Sequence, residues 1–212
     1  MKHATTNIHP IMQAALSLGP EFTEWDWSIA TWKLASDRFS MKGYPHPDHK
    51  RFYMDITGDK PANPIFREWV ERIRPNTYRL TPLGRAIAFS LIERETMTEF
   101  YTVSSRLSTH KVFRTWRERP EYPSEFHAVR DFLLAPADRV ISHFGFCRQQ
   151  IEAAMGWCRI HGLSCLARRA HHNEGMDPPP ILYTDLAELL DFFTCLEARF
   201  PELKRKPARQ AK

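Results

Sequence analysis

Ile65-Phe66-Arg67-Glu68-Trp69-Val70-Glu71-Arg72-Ile73-Arg74-Pro75-Asn76-Thr77-Tyr78-Arg79-Leu80-Thr81-Pro82 is the stretch on which the fold of the first half of this chain turns. Residues 65–74 are rich in β-formers, Pro75-Asn76 is a turn signal, and Thr77–Leu80 reads as a second short strand. Together they predict a β-hairpin. Thr81-Pro82 then opens a helix, with threonine as cap and proline at the first helical position, where its missing N–H is not needed. Leu83, Ile87 and Leu91 carry the pattern onward as one long helix to about residue 108, with a break expected near Gly84.

Upstream of the hairpin the period is helical. Ile8, Ile11, Met12, Ala15 and Leu16 recur at helical spacing until Gly19-Pro20 stops the run. A second helix follows, capped by Thr23 or Asp26, with Trp25, Ile29, Trp32 and Ala35 or Ser36 on one expected core face. Gly43 supplies a turn. A third helix is expected to start at Pro45-His46-Pro47-Asp48 and to run through His49, Lys50, Arg51, Phe52, Tyr53, Met54 and Ile56 to Gly58. Trp25, Trp27, Trp32 and Trp69 read as core aromatics, with stacking on a base as the lesser alternative.

The order helix, helix, turn, helix, strand, turn, strand, helix resembles the winged helix-turn-helix family. The run Tyr78-Arg79-Leu80-Thr81-Pro82-Leu83-Gly84-Arg85-Ala86 is similar to that family's junction between wing and following helix, with its Tyr-x-Leu-Thr strand end and glycine-containing helix start. The resemblance covers residues 8–90. It implies a mainly α fold, an amino-terminal winged helix-turn-helix domain over residues 1–90, and double-stranded DNA as partner. A helical assembly domain would follow over residues 91–203, and a basic disordered tail over residues 204–212.

Residue chemistry agrees with that implication. The major groove admits one helix, and the third helix exposes His46, His49, Lys50, Arg51 and Tyr53 while Phe52 and Ile56 can face a core. The hairpin sets Arg72, Arg74, Asn76 and Arg79 near a narrow tip, where arginines reach phosphates or the minor groove. Charge is distributed in the same sense. Residues 1–90 carry 12 Lys/Arg against 9 Asp/Glu, residues 91–203 carry 13 against 16, and residues 204–212 carry 5 against none. The rival reading is a protein-interaction subunit whose winged helix grips a partner protein.

The second half offers no reaction chemistry that its spacing supports. His143 with Cys147, and Cys158 with His161, stand at helical spacings that could present ligands to zinc, and Cys165, His171 and His172 follow. No Cys-x-x-Cys pair accompanies them, and buried cysteines explain the set more simply, so no metal or cofactor is expected. Glu93, Glu95, Glu99, Asp131, Asp138 and Glu152 read as a solvated face, and no phosphate loop or nucleophile elbow is present. The expectation is a non-enzymatic protein. Short helices are predicted over 110–117 and 123–134, a longer one over 137–160, a loop over 162–180, and a last helix from Thr184 or Asp185 to Phe200. The stripe Leu186, Leu189, Leu190, Phe193, Leu196 can pack on its own domain, and it is also the leading candidate for a homodimer contact or a partner protein. Met1-Lys2-His3 leads into a polar stretch, and no run approaches the ~18 apolar residues of a membrane span, so a cytoplasmic location is expected.

Overall fold

The computed structural model describes residues 7–57, 63–119, 144–169 and 177–204. They are mainly helical, with two small antiparallel sheets. The chain divides into two compact units. One comprises Met1–Met97 with Ala167–Pro180, and the other Thr98–Leu166 with Ile181–Lys212.

In the first unit the order is α1 (Ile8–Ser17), β1 (Phe22–Thr23), α2 (Glu24–Leu34), α3 (Ser36–Phe39), α4 (His49–Thr57), β2 (Val70–Arg74), β3 (Thr77–Leu80) and α5 (Pro82–Ile92). The three strands form one antiparallel sheet in the order β1-β3-β2, with Phe22 opposite Tyr78 and Val70 opposite Leu80. Strand β1 went unread in the sequence, because two residues are too few for alternation to register. Trp27 is the hub of this unit. It is fully buried, its ring meets Phe22, Phe52 and Tyr78 at 5.2, 5.3 and 5.8 Å, and its Nε1 donates to the Ile11 carbonyl at 2.7 Å. One side chain thus joins α1, β1, α4 and β3, and its polar atom is satisfied inside the core.

Hairpin and α5 meet as their sequence demands. Pro75 suits the first central turn position, and Asn76 takes the positive φ of 58° that the second requires. Thr81 Oγ1 accepts from the Gly84 amide at 3.0 Å and donates to the Glu68 carbonyl at 2.8 Å, so one hydroxyl caps α5 and pins the start of the hairpin. Gly84 is required by packing. A Cβ there would lie 1.7 Å from the Trp69 carbonyl oxygen, so only glycine lets α5 approach β2 this closely. It does not break the helix as expected. The interruption falls at Glu93 (φ −102°, ψ 51°), after which α6 (Arg94–Ser108) begins. No glycine or proline marks that point, which is why the sequence pattern runs through it. The first hairpin strand is also shorter than expected. Residues 64–69 form turns, with Trp69 N donating to the Pro64 carbonyl at 2.9 Å and Glu68 at φ 56°.

The second unit contains α7 (Lys111–Glu118), α8 (Phe144–His161), β4 (Cys165–Leu166), β5 (Ile181–Leu182), α9 (Tyr183–Arg199) and a 3-10 turn (Pro201–Lys204). His110 Nδ1 accepts from Val112 N and caps α7. Neither Gly145 nor Gly156 interrupts α8, which ends where Gly162 takes φ 61° and Leu163 N returns to the Cys158 carbonyl at 2.7 Å. Asp185 accepts from Leu182 N at 2.9 Å at the start of α9. β4 lies within the expected loop 162–180 and pairs with β5 just beyond it. The core is aromatic, with Phe144 against Phe193 at 5.0 Å and Phe113 against Phe192 at 5.5 Å. Leu186, Leu189, Phe193 and Leu196 are fully buried against this unit's own helices, and Leu190 is half-buried. Of the two coverings the sequence leaves open for this stripe, its own domain or another chain, the structure shows the first. The expected helix 123–134 and the tail 204–212 lie outside the described residues, apart from Lys204 in the 3-10 turn.

Candidate nucleic-acid interface

Helix α4 starts four residues later than its prolines suggest. Pro47 forms a bridge with Ser40, Met41 N donates to the His46 carbonyl at 2.8 Å, and Asp48 N donates to the Phe39 carbonyl. Those bonds keep residues 40–47 extended or turned, as residues preceding proline prefer. Asp48 then caps the helix, its Oδ1 accepting from Arg51 N at 3.0 Å. His46 consequently stands exposed in the loop before the helix and not on the helix itself.

Within α4, Phe52 and Ile56 stand four residues apart and are buried, as read from the sequence. Lys50, Arg51, Tyr53 and Met54 are exposed. The Arg51 guanidinium lies 6.0 Å from the Phe39 ring centroid. His49 is engaged. Its Nε2 lies 2.7 Å from Glu24 Oε1, and its ring stacks on Trp25 with centroids 3.8 Å apart and planes 13° from parallel. Glu24 is itself buried and accepts from the Tyr78 hydroxyl at 3.1 Å. A buried carboxylate needs such partners. Burial, and then the charge of Glu24, push the Tyr78 hydroxyl up to about 12. The first turn of α2, the first turn of α4 and strand β3 are thereby held in one hydrogen-bonded set. The backbone adds to it, since Glu24 N donates to the Asn76 carbonyl at 3.0 Å.

On the hairpin, Arg72, Arg74, Asn76 and Arg79 are all exposed. Arg74 pairs with Glu21 at 2.7 Å, and Arg79 pairs with Glu71 across the two strands. Two of the three wing arginines therefore carry a carboxylate partner in the free protein.

The sequence reads all four of these tryptophans as core, and the structure separates them. Trp27 and Trp69 are buried, Trp32 is half-buried with its Nε1 donating to Ser40 Oγ at 2.8 Å, and Trp25 is 58% exposed. The buried face of α2 is Trp27, Ser28 and Thr31, with Ala35 just beyond, in place of the expected Trp25, Ile29 and Trp32. Apolar residues lie all round this helix, so periodicity does not single out a face. Glu24 carries no sequence signal for a site, and Trp25 carries only the general one of an aromatic ring that could stack on a base.

Other chemistry is sparse among the described residues. Cys147, Cys158 and Cys165 are buried. Desolvation pushes the thiols of Cys147 and Cys158 up to about 11, which keeps them protonated at neutral pH and poor as nucleophiles. No group of three or more His, Cys, Asp or Glu that could hold a metal ion occurs there. His143, His171, His172, Asp131 and Asp138 lie outside the described residues. Glu93, Glu95, Glu99 and Glu152 are exposed. No helix among the described residues is long and apolar enough to cross a membrane. No family model, curated protein or solved structure matches the chain.

Proposed function

We propose that this protein binds double-stranded DNA without catalysing a reaction, as a transcriptional regulator or DNA-binding accessory factor. Helix α4 would enter the major groove, and the β2–β3 hairpin would lie on the backbone or in the minor groove. The observation that carries the reading is α4 itself. It is anchored by Phe52 and Ile56 and presents Lys50, Arg51 and Tyr53 to solvent. The element order α1-β1-α2-α3-α4-β2-β3, with the short α3 between α2 and α4 and a three-stranded sheet ordered β1-β3-β2, supports a winged helix-turn-helix. The same reading has the chain working in the cytoplasm, with a second copy or a partner protein engaged through its helical half.

A mobility-shift assay with random duplex at two salt concentrations tests the proposal. Binding should weaken steeply as salt rises, because each neutralised phosphate releases counterions. No shift, or a shift indifferent to salt, overturns it. One feature favours the rival reading of a protein-gripping subunit: Ile29, Leu34, Met54 and Phe66 are exposed on this unit while Arg74 and Arg79 already have acidic partners. Salt-indifferent capture of a partner protein would mark that case.

A further inference from the structure

Trp25 is the most exposed tryptophan among the described residues, yet it is not loosely placed. One face of its indole lies against the His49 imidazole at 3.8 Å, nearly parallel. His49 is fixed in turn by Glu24 at 2.7 Å, and Glu24 by the buried Tyr78 at 3.1 Å. Thr23 caps the helix beneath, with Asp26 N donating to its Oγ1 at 3.1 Å. The indole is therefore oriented before any ligand arrives, with 58% of the residue's surface still open. Pre-orientation of this kind removes the rotamer cost of binding to the ring.

We infer that the Trp25–His49 stack is a platform for an unpaired nucleobase. The protein would then take a duplex carrying an extruded or unpaired base in preference to a fully paired one. A flat aromatic face offers stacking to any base, and this is how proteins hold bases that have left the helix. The surroundings suit a nucleic-acid strand. Lys50 and Arg51 follow His49 directly and are exposed. The nearby carboxylates are occupied: Glu24 by Tyr78 and His49, Asp26 by the Thr23 hydroxyl at 2.6 Å, and Asp48 by the α4 cap. The platform rests on the nucleic-acid reading above but adds a different ligand, an unstacked base in place of groove edges.

The test compares a paired duplex with the same duplex carrying one unpaired 2-aminopurine, by anisotropy and by 2-aminopurine fluorescence. Wild-type protein should bind the unpaired form on the order of tenfold more tightly and quench the probe. Trp25→Ala should lose both the preference and the quenching. Trp25→Phe should keep part of each. Equal affinity of wild-type protein for the two duplexes overturns the platform and leaves the duplex proposal standing. Binding of the unpaired form alone sustains the platform and overturns the duplex proposal. Binding of neither overturns both. Circular dichroism of the two variants confirms that the exposed position leaves the fold intact.

Discussion

Helices α4 and α9 are both amphipathic, and they use that property in opposite ways. α9 buries Leu186, Leu189, Phe192, Phe193 and Leu196, and its polar side is tied down as well. Arg117 pairs with Glu188 at 2.7 Å, and Arg148 pairs with Glu197 at 2.5 Å. α4 buries only Phe52 and Ile56 and leaves Lys50, Arg51, Tyr53 and Met54 in water. Burying each Leu or Phe contributes roughly 1.5–3 kcal/mol, whereas an exposed ion pair contributes about 0–1 kcal/mol. The greater apolar burial therefore makes α9 a structural element. α4 is fastened just enough to hold its remaining side chains in place. A strong apolar stripe marks where a fold is held together, whereas the face of α4 that carries Lys50, Arg51 and Tyr53 is left open to solvent.

The contrast breaks first in the second unit. Phe193→Asp should abolish its cooperative melting, since removing a buried phenylalanine alone costs about 3–5 kcal/mol and a buried carboxylate adds to that. A folded, unshifted variant would mean that the stripe is not core. In the first unit the corresponding weak point is a backbone contact. Gly84→Ala drives a methyl into the Trp69 carbonyl, and overpacking of that severity costs about 1–3 kcal/mol or more, so the melting temperature should fall by several degrees. An unchanged melting curve would overturn the close-approach account.

Alkali should weaken both units, the second through the buried Cys147 and Cys158 thiols at about 11 and the first through Tyr78. Because the folded Tyr78 hydroxyl sits at about 12, above its ordinary 10, the native state holds that proton more tightly than the unfolded chain does. Its contribution is complete below pH 10 and is lost as pH rises through 12, amounting to roughly 2–3 kcal/mol. Urea unfolding at pH 9 and pH 11.5 should show the loss, and Tyr78→Phe should lessen it by the tyrosine's share, the part due to Cys147 and Cys158 remaining.

Binding variants sharpen the functional side. Lys50→Ala with Arg51→Ala should leave melting nearly unchanged, weaken duplex binding by about tenfold, and lower the salt slope by about 2. Unaltered affinity would remove α4 from the interface. The smallest effect belongs to the wing. Arg74→Ala and Arg79→Ala should each cost about twofold, equally on specific and random duplex, because both arginines must leave a carboxylate before they meet phosphate. A loss confined to one sequence would mean that the wing reads bases.

Several parts of this molecule follow from the sequence alone. The hairpin around Pro75-Asn76, the Thr81-Pro82 helix start, the buried pair Phe52 and Ile56, and the last helix up to Pro201 are local. Each is dictated by a cap, a turn residue or a spacing of four, and needs no knowledge of what packs above it. Other features had no local signal. The face of α2 was decided by which tryptophan fits among Phe22, Phe52 and Tyr78, and Trp27 took that place while Trp25 was left outside. Whether the α9 stripe met its own unit or another chain depended on the helices available to cover it, and α7 and α8 do so. His49 read as one more exposed basic residue until Glu24 and Trp25, twenty-five and twenty-four residues earlier, closed around it. Periodicity records how much apolar surface a helix carries and along which stripe. Only the packed structure decides which of several candidate faces is covered, because that choice depends on the volumes and polar partners of residues far away in sequence.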